Sequence, residues 1–237
     1  PTDLYFYFKQ LKNMGVTHVV MEVSAHAIKL NKLAGIKAEQ IIFTNLTEEH
    51  LDFFNDFSDY ASTKINFINS DNCNLAITNV DDDFGLKILK NNVPVLGYGL
   101  CTPADTFALN IINKISGLNF TVNVMDEIIN VSSNLCGIYN VYNLLAAITS
   151  AHCLGVKPEV IKSGVASLKN IPGRFNKFWL DLNRLVVVDF AHTPDGFKQV
   201  LSEVKSFRSG KIITLFGCVG YSNKDKRIEM ANAVSRY

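Results

Sequence analysis

The segment Val19-Val20-Met21-Glu22-Val23-Ser24-Ala25-His26-Ala27 decides the expected fold. Its apolar first half has the composition of a strand that is buried on both faces of a parallel sheet. The polar side chains of Glu22, Ser24 and His26 come at its end, and ligands of open α/β sheets bind outside the carboxyl ends of the strands. The segment therefore predicts a strand over 17–23 with a site at its end, although a strand whose last residues are simply solvated gives the same pattern.

The composition is that of a globular protein with enough apolar residues for a full core. Of the 237 residues, 48% are hydrophobic and 19% are charged, which is unlike a disordered chain. The net charge of +1 argues against a nucleic-acid or membrane surface, and no apolar run reaches the ~18 residues that a membrane helix needs. The first residues lack the basic region of a signal peptide. Five scattered cysteines without a CxxC pair are expected to be buried thiols of a reducing cytoplasm.

Hydrophobic periodicity predicts an α/β alternation that is interrupted by a small antiparallel meander between about 105 and 135. The expected helices are 4–14, 57–69 with Asp56 as N-cap, a short one ending at 90, 140–154 with Asn140 as N-cap, 158–168 and a helix ending near 207. The expected strands besides 17–23 are 41–45, 74–80, 93–96, 177–180, 185–189 and 211–216. The part after Gly173 has the pattern of a second α/β domain with too few strands to complete it.

Lys64 falls in the middle of the apolar face of the helix 57–69, between Tyr60 and Phe67. One interpretation is that its stem is buried and its ammonium reaches water. The other is a buried lysine with a lowered pKa, whose neutral amine can react with carbon dioxide to form a metal-binding carbamate.

Two further patterns leave alternatives open. Asp81-Asp82-Asp83 forms either a solvated turn or a metal site, and Asn140 and Asn143 either only cap a helix or face one ligand together. The sequence contains no phosphate loop of the Gly-x-x-x-x-Gly-Lys-Ser/Thr type, no Gly-x-Gly-x-x-Gly after a strand, and no Gly-x-Ser-x-Gly nucleophile elbow.

Taken in order, these pieces resemble the Mur ligases, and the resemblance covers nearly the whole chain. The matching stretches are 21–27, 43–46, 50–52, Lys64, 140–147, 172–174, 188–195 and 216–218. The block from Asp189 to Asp195 is most similar to the family members that add the third residue of the peptidoglycan stem peptide.

The resemblance implies a Mur-ligase central ATPase domain over 1–173, with a mostly parallel sheet and an antiparallel meander, but without its phosphate loop. It implies that 174–237 is the first part of a Rossmann-like C-terminal domain. The chain would be a fragment of a three-domain enzyme and would be inactive alone. The whole enzyme would be a monomer of the bacterial cytoplasm that binds neither nucleic acid nor membrane.

The implied reaction is an ATP-dependent amide ligation that proceeds through an acyl phosphate and uses Mg²⁺. Its partners would be UDP-N-acetylmuramoyl-L-Ala-D-Glu and an amino acid that the sequence does not identify. The implied magnesium ligands are Glu22, His50 and Lys64, the last as a carbamate, and the implied nucleotide contacts are Asn140, Asn143, Arg174 and Asp189. Lys64, His50 and Arg174 are also the implied catalytic residues, and Ser24, His26, Thr44 and Asn45 are the implied substrate contacts.

The chain departs from the family pattern at a few positions. The stretch Val219–Ile228 lacks the Asp-Arg pair that family members usually carry, which puts contacts near Tyr221 and Ser222 in doubt. Asn176 stands where an acid is common, and Ala25 where serine is frequent. A non-catalytic nucleotide-site scaffold and a ligase like the folylpolyglutamate synthetases are the alternative functions, and the Asp189–Asp195 block argues against the second.

Overall fold

A computed structural model describes residues 2–47, 53–218 and 224–237, with the side chains of the last segment described from Arg227 onward. The helices are α1 (Thr2–Asn13), α2 (Ala25–Lys29), α3 (Phe57–Phe67), α4 (Asp83–Ile88), α5 (Ile138–Cys153), α6 (Pro158–Ser167), α7 (Pro194–Phe207) and α8 (Lys224–Ser235). The strands are β1 (Ala38–Phe43), β2 (Cys73–Asn79), β3 (Val95–Gly99), β4 (Thr106–Lys114), β5 (Gly117–Val124), β6 (Glu127–Ser133), β7 (Asn176–Trp179) and β8 (Leu185–Val188). The chain divides into two compact units, Pro1–Gly97 and Tyr98–Tyr237.

The larger sheet has the strand order β1-β2-β3-β4-β5-β6, and β7 and β8 form a separate antiparallel hairpin. The pairs β1/β2 and β3/β4 are parallel, whereas β4/β5 and β5/β6 are antiparallel. The prediction of an α/β fold with a small antiparallel meander is therefore confirmed. Among the described residues, no helix combines the length and the apolar character needed to cross a membrane.

The core of the first unit lies around β2, where Ala76 and Ile77 are completely buried. Such a continuously buried strand is typical of a parallel sheet that is covered on both faces. Tyr60 and Ala61 of α3 pack in the same hydrophobic cluster, so the predicted apolar face of this helix is confirmed. Its predicted cap is also confirmed, because the Asp56 side chain accepts a hydrogen bond of 2.7 Å from the Asp59 amide.

The predicted strand 17–23 is wrong, because the structure assigns no strand to these residues. The Val20 side chain is 98% exposed and Val19 is half exposed. The preceding helix α1 has no buried residue either. A strand exists only through hydrogen bonds to a neighbouring strand. Within the described residues no strand pairs with this segment, so its apolar side chains stay uncovered.

The predicted strand 211–216 is wrong for the same reason. Ile213 and Leu215 are 93% and 98% exposed, and the structure assigns no strand to this segment. The other predicted strands and helices are present, with ends that differ by a few residues. The shift matters once for the site: β1 ends at Phe43, so Thr44 and Asn45 follow the strand and do not belong to it.

The second unit contains the meander, the long helix α5 and the helices α7 and α8. Leu118, Val122 and Val124 of β5 are completely buried, as is Leu145 of α5. A separate hydrophobic cluster, formed by Phe197, Leu201, Met230 and Ala233, joins α7 to α8. The two ends of the β7–β8 hairpin lie side by side, which brings the segment before β7 next to the one after β8.

Candidate functional site

The polar residues that follow the segment 17–23 have structural contacts of their own. The Ser24 hydroxyl caps α2 by accepting a hydrogen bond of 3.2 Å from the Ala27 amide. The His26 ring lies 4.2 Å from the Phe53 ring and 5.6 Å from the Phe54 ring, measured between centroids. Glu22 is exposed in a stretch without regular structure.

Thr44 and Asn45 are exposed at the end of β1, where neighbouring residues hold the loop in place. The parallel register pairs Phe43 with Thr78, and the next residue, Asn79, donates a side-chain hydrogen bond of 2.9 Å to the Thr44 carbonyl. The loop after β1 is therefore anchored at the carboxyl edge of two parallel strands. Exposed side chains at that edge are available to a ligand.

Asp82 provides the second anchor of this loop. Its carboxylate accepts a hydrogen bond of 3.1 Å from the Leu46 amide and caps α4 by accepting from the Phe84 and Gly85 amides. This supports the turn interpretation of the three aspartates. In the part of the chain that the structure describes, no group of three His, Cys, Asp or Glu residues is arranged to hold a metal ion.

Lys64 is half-buried on α3, and its Nζ lies 5.2 Å from the centroid of the Tyr60 ring. Cation–π contacts of this kind are worth more as the ammonium loses water. The position agrees with both interpretations of the sequence, a snorkelling lysine and one that becomes a carbamate. His50, the second expected metal ligand, lies outside the described residues, so the expected set of Glu22, His50 and Lys64 stays a prediction.

The start of α5 carries the two asparagines. The predicted N-cap Asn140 is wrong, because the helix begins at Ile138 and its N-cap is Gly137, whose φ is +98°. Asn140 therefore lies inside the first turn, where its Nδ2 donates a hydrogen bond of 2.7 Å to the Cys136 carbonyl. The Asn143 Nδ2 donates to the Asn140 Oδ1 over 3.2 Å, so the two side chains face one direction as their spacing predicts.

Asp189 joins the two ends of the β7–β8 hairpin. One carboxylate oxygen accepts from the Phe175 amide over 2.7 Å, and the other accepts from the Ala191 amide over 2.7 Å. The pairing of Asn176 with Val188 places Phe175 and Asp189 next to each other. Phe175 is held at a φ of +44°, a backbone conformation that L residues rarely adopt.

Arg174 contacts the Phe190 ring and lines a pocket with Asn140. Its guanidinium carbon is 4.8 Å from the centroid of the Phe190 ring, a stacking arrangement that arginine favours. Arg174 and Asn140 line the same small pocket, together with Phe175 and Lys177. The structure thus brings the four expected nucleotide contacts, Asn140, Asn143, Arg174 and Asp189, into one neighbourhood of the second unit.

Tyr139 belongs to this neighbourhood, and the sequence reasoning missed it. Its hydroxyl is buried and has no hydrogen-bond partner among the described residues. Burial, and then the nearby Asp189 carboxylate, raise the pKa of Tyr139 well above its ordinary range, while Arg174 acts in the opposite direction. The hydroxyl therefore stays protonated at physiological pH and remains able to donate a hydrogen bond.

Comparison with known proteins identifies the parts of the chain. Residues 1–151 match the family model of the Mur ligase middle domain, and residues 173–237 match that of the Mur ligase glutamate ligase domain. A UDP-N-acetylmuramoyl-L-alanyl-D-glutamate--2,6-diaminopimelate ligase from Solibacter usitatus (strain Ellin6076) is 36% identical over 237 residues, which cover 98% of this chain and 48% of that protein.

Two solved structures extend the comparison. The structure of a UDP-N-acetylmuramoyl-L-alanyl-D-glutamate--2,6-diaminopimelate ligase is 31% identical with a TM-score of 0.69, covering 91% of this chain and 45% of that one. A MurF ligase from Thermotoga maritima, in complex with ADP, has a TM-score of 0.70 at 20% identity, covering 90% of this chain and 49% of that one. The chain spans about half the length of the curated relatives it matches.

Proposed function

The chain belongs to the Mur ligase family, and we propose that it forms the nucleotide-holding part of an ATP-dependent amide ligase. The observation that carries the proposal is the joint position of Asn140, Asn143, Arg174 and Asp189 in one neighbourhood. The proposed domains are a central domain over 1–173 and the first part of a C-terminal domain over 174–237. The names of the relatives support UDP-N-acetylmuramoyl-L-Ala-D-Glu and diaminopimelate as the substrates of the whole protein.

Each residue of the neighbourhood has a chemistry that suits ATP. The amides of Asn140 and Asn143 offer donors and acceptors of the kind that an adenine edge needs. Arg174, held on the Phe190 ring, presents a planar cation that pairs with phosphate oxygens. Asp189 uses each carboxylate oxygen once on a backbone amide, and a carboxylate has about four acceptor sites, so acceptor capacity is left for ribose hydroxyls.

In the proposed reaction, ATP activates the substrate carboxylate as an acyl phosphate, and an amine then displaces phosphate to form the amide. We place the acyl end near Ser24, His26, Thr44 and Asn45. Thr44 and Asn45 are exposed at the carboxyl edge of β1 and β2, which supports this placement. The bacterial sources of the relatives support a bacterial cytoplasmic protein, which we propose to be a monomer.

Magnesium belongs to the proposal through Glu22, His50 and a carbamylated Lys64. When bound, the ion would neutralise phosphate charge, which is the main requirement of phosphoryl transfer. Glu22 is an exposed carboxylate and thus an oxygen ligand of the type that Mg²⁺ prefers. Lys64 is half-buried on α3 with its Nζ 5.2 Å from the centroid of the Tyr60 ring, and a carbamate there would replace a partly desolvated cation with an anion that can hold a metal ion.

Nucleotide binding by the 237-residue chain tests the proposal directly. Titration with a fluorescent ADP should show binding that Arg174→Ala weakens at least about tenfold, because a phosphate contact is lost. Arg184→Ala is the matched control, since this arginine is exposed and pairs with Asp181 in the hairpin turn. Equal affinities for Arg174→Ala and the unsubstituted chain would refute the nucleotide role.

Catalysis is tested in the whole protein. Phosphate release that depends on the UDP-muramoyl dipeptide should fall more than about tenfold in Glu22→Ala, which corresponds to about 1.4 kcal/mol of barrier. Lys64→Ala should lose most activity, and short carboxylic acids should restore part of it by replacing the carbamate. The 237-residue chain alone should show no turnover, because its sequence contains no phosphate loop. Turnover with a folate substrate in place of the dipeptide would favour the alternative ligase.

A further inference from the structure

Helix α5 has no capping side chain of its own. Its N-cap is Gly137, and the first amides of a helix have no partner within the helix. The cap comes from α7 instead, because one Glu203 carboxylate oxygen accepts a hydrogen bond of 2.7 Å from the Ile138 amide. A carboxylate at this position is also favoured by the positive end of the helix dipole.

Asn113, at the end of β4, completes the arrangement. Its Nδ2 donates a hydrogen bond of 2.9 Å to the second oxygen of Glu203, and its Oδ1 accepts one of 3.0 Å from the Gly137 amide. Two consecutive amides at the start of α5 are thus held by one carboxylate and one amide side chain, which also bind each other. In each of these three hydrogen bonds a donor meets an acceptor.

We propose that Glu203 is a positioning residue for the nucleotide site. It lies in the segment that matches the second family model, and its hydrogen bond to the Ile138 amide holds the first turn of α5 in place. Asn140 lies two residues after Ile138, and Asn143 is hydrogen-bonded to Asn140. The position of the first turn therefore determines where both asparagine side chains lie. The role in nucleotide binding rests on the function proposed above, whereas the capping role does not.

A second charged side chain ties the same two parts of the chain together. The Lys177 Nζ donates hydrogen bonds to the Ile115 carbonyl over 2.8 Å and to the Asn134 carbonyl over 3.2 Å. Residues 173–237 are therefore held to the ends of β4 and β6 by a lysine and a glutamate, and the glutamate also accepts a hydrogen bond from the first amide of α5. A displacement of α7 would remove the cap of α5. The arrangement of the nucleotide-site side chains on α5 therefore depends on the position of residues 173–237.

Substitutions can break and restore this pairing without changing its size. In Glu203→Gln, the new amide can take two orientations. With its oxygen toward Ile138, its NH₂ faces the Asn113 NH₂, and with its oxygen toward Asn113, its NH₂ faces the Ile138 amide, so one pair of donors always meets. Adding Asn113→Asp restores every pair, because the glutamine oxygen accepts from Ile138 while its NH₂ donates to the carboxylate introduced at position 113. Glu229→Gln is the matched control, since Glu229 is exposed on α8.

Amide hydrogen exchange of the 237-residue chain without nucleotide tests the capping role. Exchange at Gly137 and Ile138 should rise about fivefold in Glu203→Gln, the effect of losing a helix cap, and return to the original rate in the double variant. Amides of α6 should not change in any variant, and Glu229→Gln should change nothing. Unaltered exchange at Gly137 and Ile138, or an equal rise in α6, would overturn the proposal.

Nucleotide affinity separates the two levels of the proposal. Fluorescent ADP should bind Glu203→Gln about fivefold more weakly, with recovery in the double variant and no loss in Glu229→Gln. If the unsubstituted chain binds no nucleotide while the exchange pattern holds, the proposed function fails and the cap stands. If ADP binds all variants equally although exchange at α5 has risen, the positioning role is wrong.

Discussion

Gly137, the N-cap of α5, combines a positive φ with a close contact to a side chain of the site. Its φ of +98° lies in a region that L residues rarely adopt, which costs about 1–3 kcal/mol for alanine. A Cβ at this position would also lie 2.7 Å from the Tyr139 Cε1 and 3.0 Å from its Cζ. Overpacking of this kind costs about 1–3 kcal/mol. We therefore expect Gly137→Ala to destabilise the second unit by about 2–6 kcal/mol, the sum of the two costs.

Two other glycines of the same unit separate the backbone effect from the steric one. Gly155 has a φ of +77° but nothing within 4 Å of an added Cβ, so Gly155→Ala should cost only about 1–2 kcal/mol. Gly164 lies inside α6, has no positive φ and likewise meets nothing within 4 Å. Gly164→Ala should therefore stabilise the chain by about 0.5–1 kcal/mol.

Urea unfolding measures all three changes in one assay. The single tryptophan, Trp179, is in the same unit as the three glycines, and far-UV circular dichroism provides a second signal. The midpoints should rank Gly164→Ala highest, then the unsubstituted chain, then Gly155→Ala and last Gly137→Ala. A Gly137→Ala variant that is no less stable than Gly155→Ala would show that the Tyr139 ring does not oppose the added methyl group.

Three further outcomes follow from named contacts. Asp82→Ala should cost about 1–3 kcal/mol in the same urea assay, because its carboxylate holds three backbone amides. Iodoacetamide should modify the exposed Cys101 of the native chain well before the buried Cys136, whose thiol pKa is raised by burial; mass spectrometry distinguishes the two sites, and the reverse order would contradict the burial. The Lys29 ammonium lowers the pKa of Asp59, so this pair stabilises the fold above about pH 4 and the effect is lost as the pH falls through the lowered value. Unfolding midpoints of the unsubstituted chain and Lys29→Met should thus converge as the pH drops from about 6 to about 3, and a constant difference would refute the pairing.

The expected helices and the meander are elements that local chemistry decides, and the sequence predicts them correctly. A helix forms its hydrogen bonds within its own residues, so periodicity and a cap such as Asp56 were sufficient for α3. The meander was also predicted, because its strands are joined by short turns and each strand supplies the partner of the next. Turn residues such as Ser116-Gly117 mark those boundaries in the sequence.

The site was predictable to the extent that it depends on spacing within one element. Asn140 and Asn143 are three residues apart on a helix, and they do face the same direction. Glu203 was missed because it reaches α5 from 65 positions further along the chain. One signal was available: Cys136-Gly137-Ile138 offers no capping side chain before a long helix, so the first amides are left to water or to a side chain from another element.

The two strands that the structure does not form had the right composition for strands. Val20, Ile213 and Leu215 are almost fully exposed, although burying one such side chain stabilises a protein by about 1.5–3 kcal/mol. Together they forgo about 5–9 kcal/mol, which is comparable to the whole stability of many domains. The composition of a segment shows how much free energy its burial would contribute to stability, but burial also requires a surface that covers the segment. Because the described residues of this chain provide no such surface for 17–23 and 211–216, composition predicted two strands that the structure does not form.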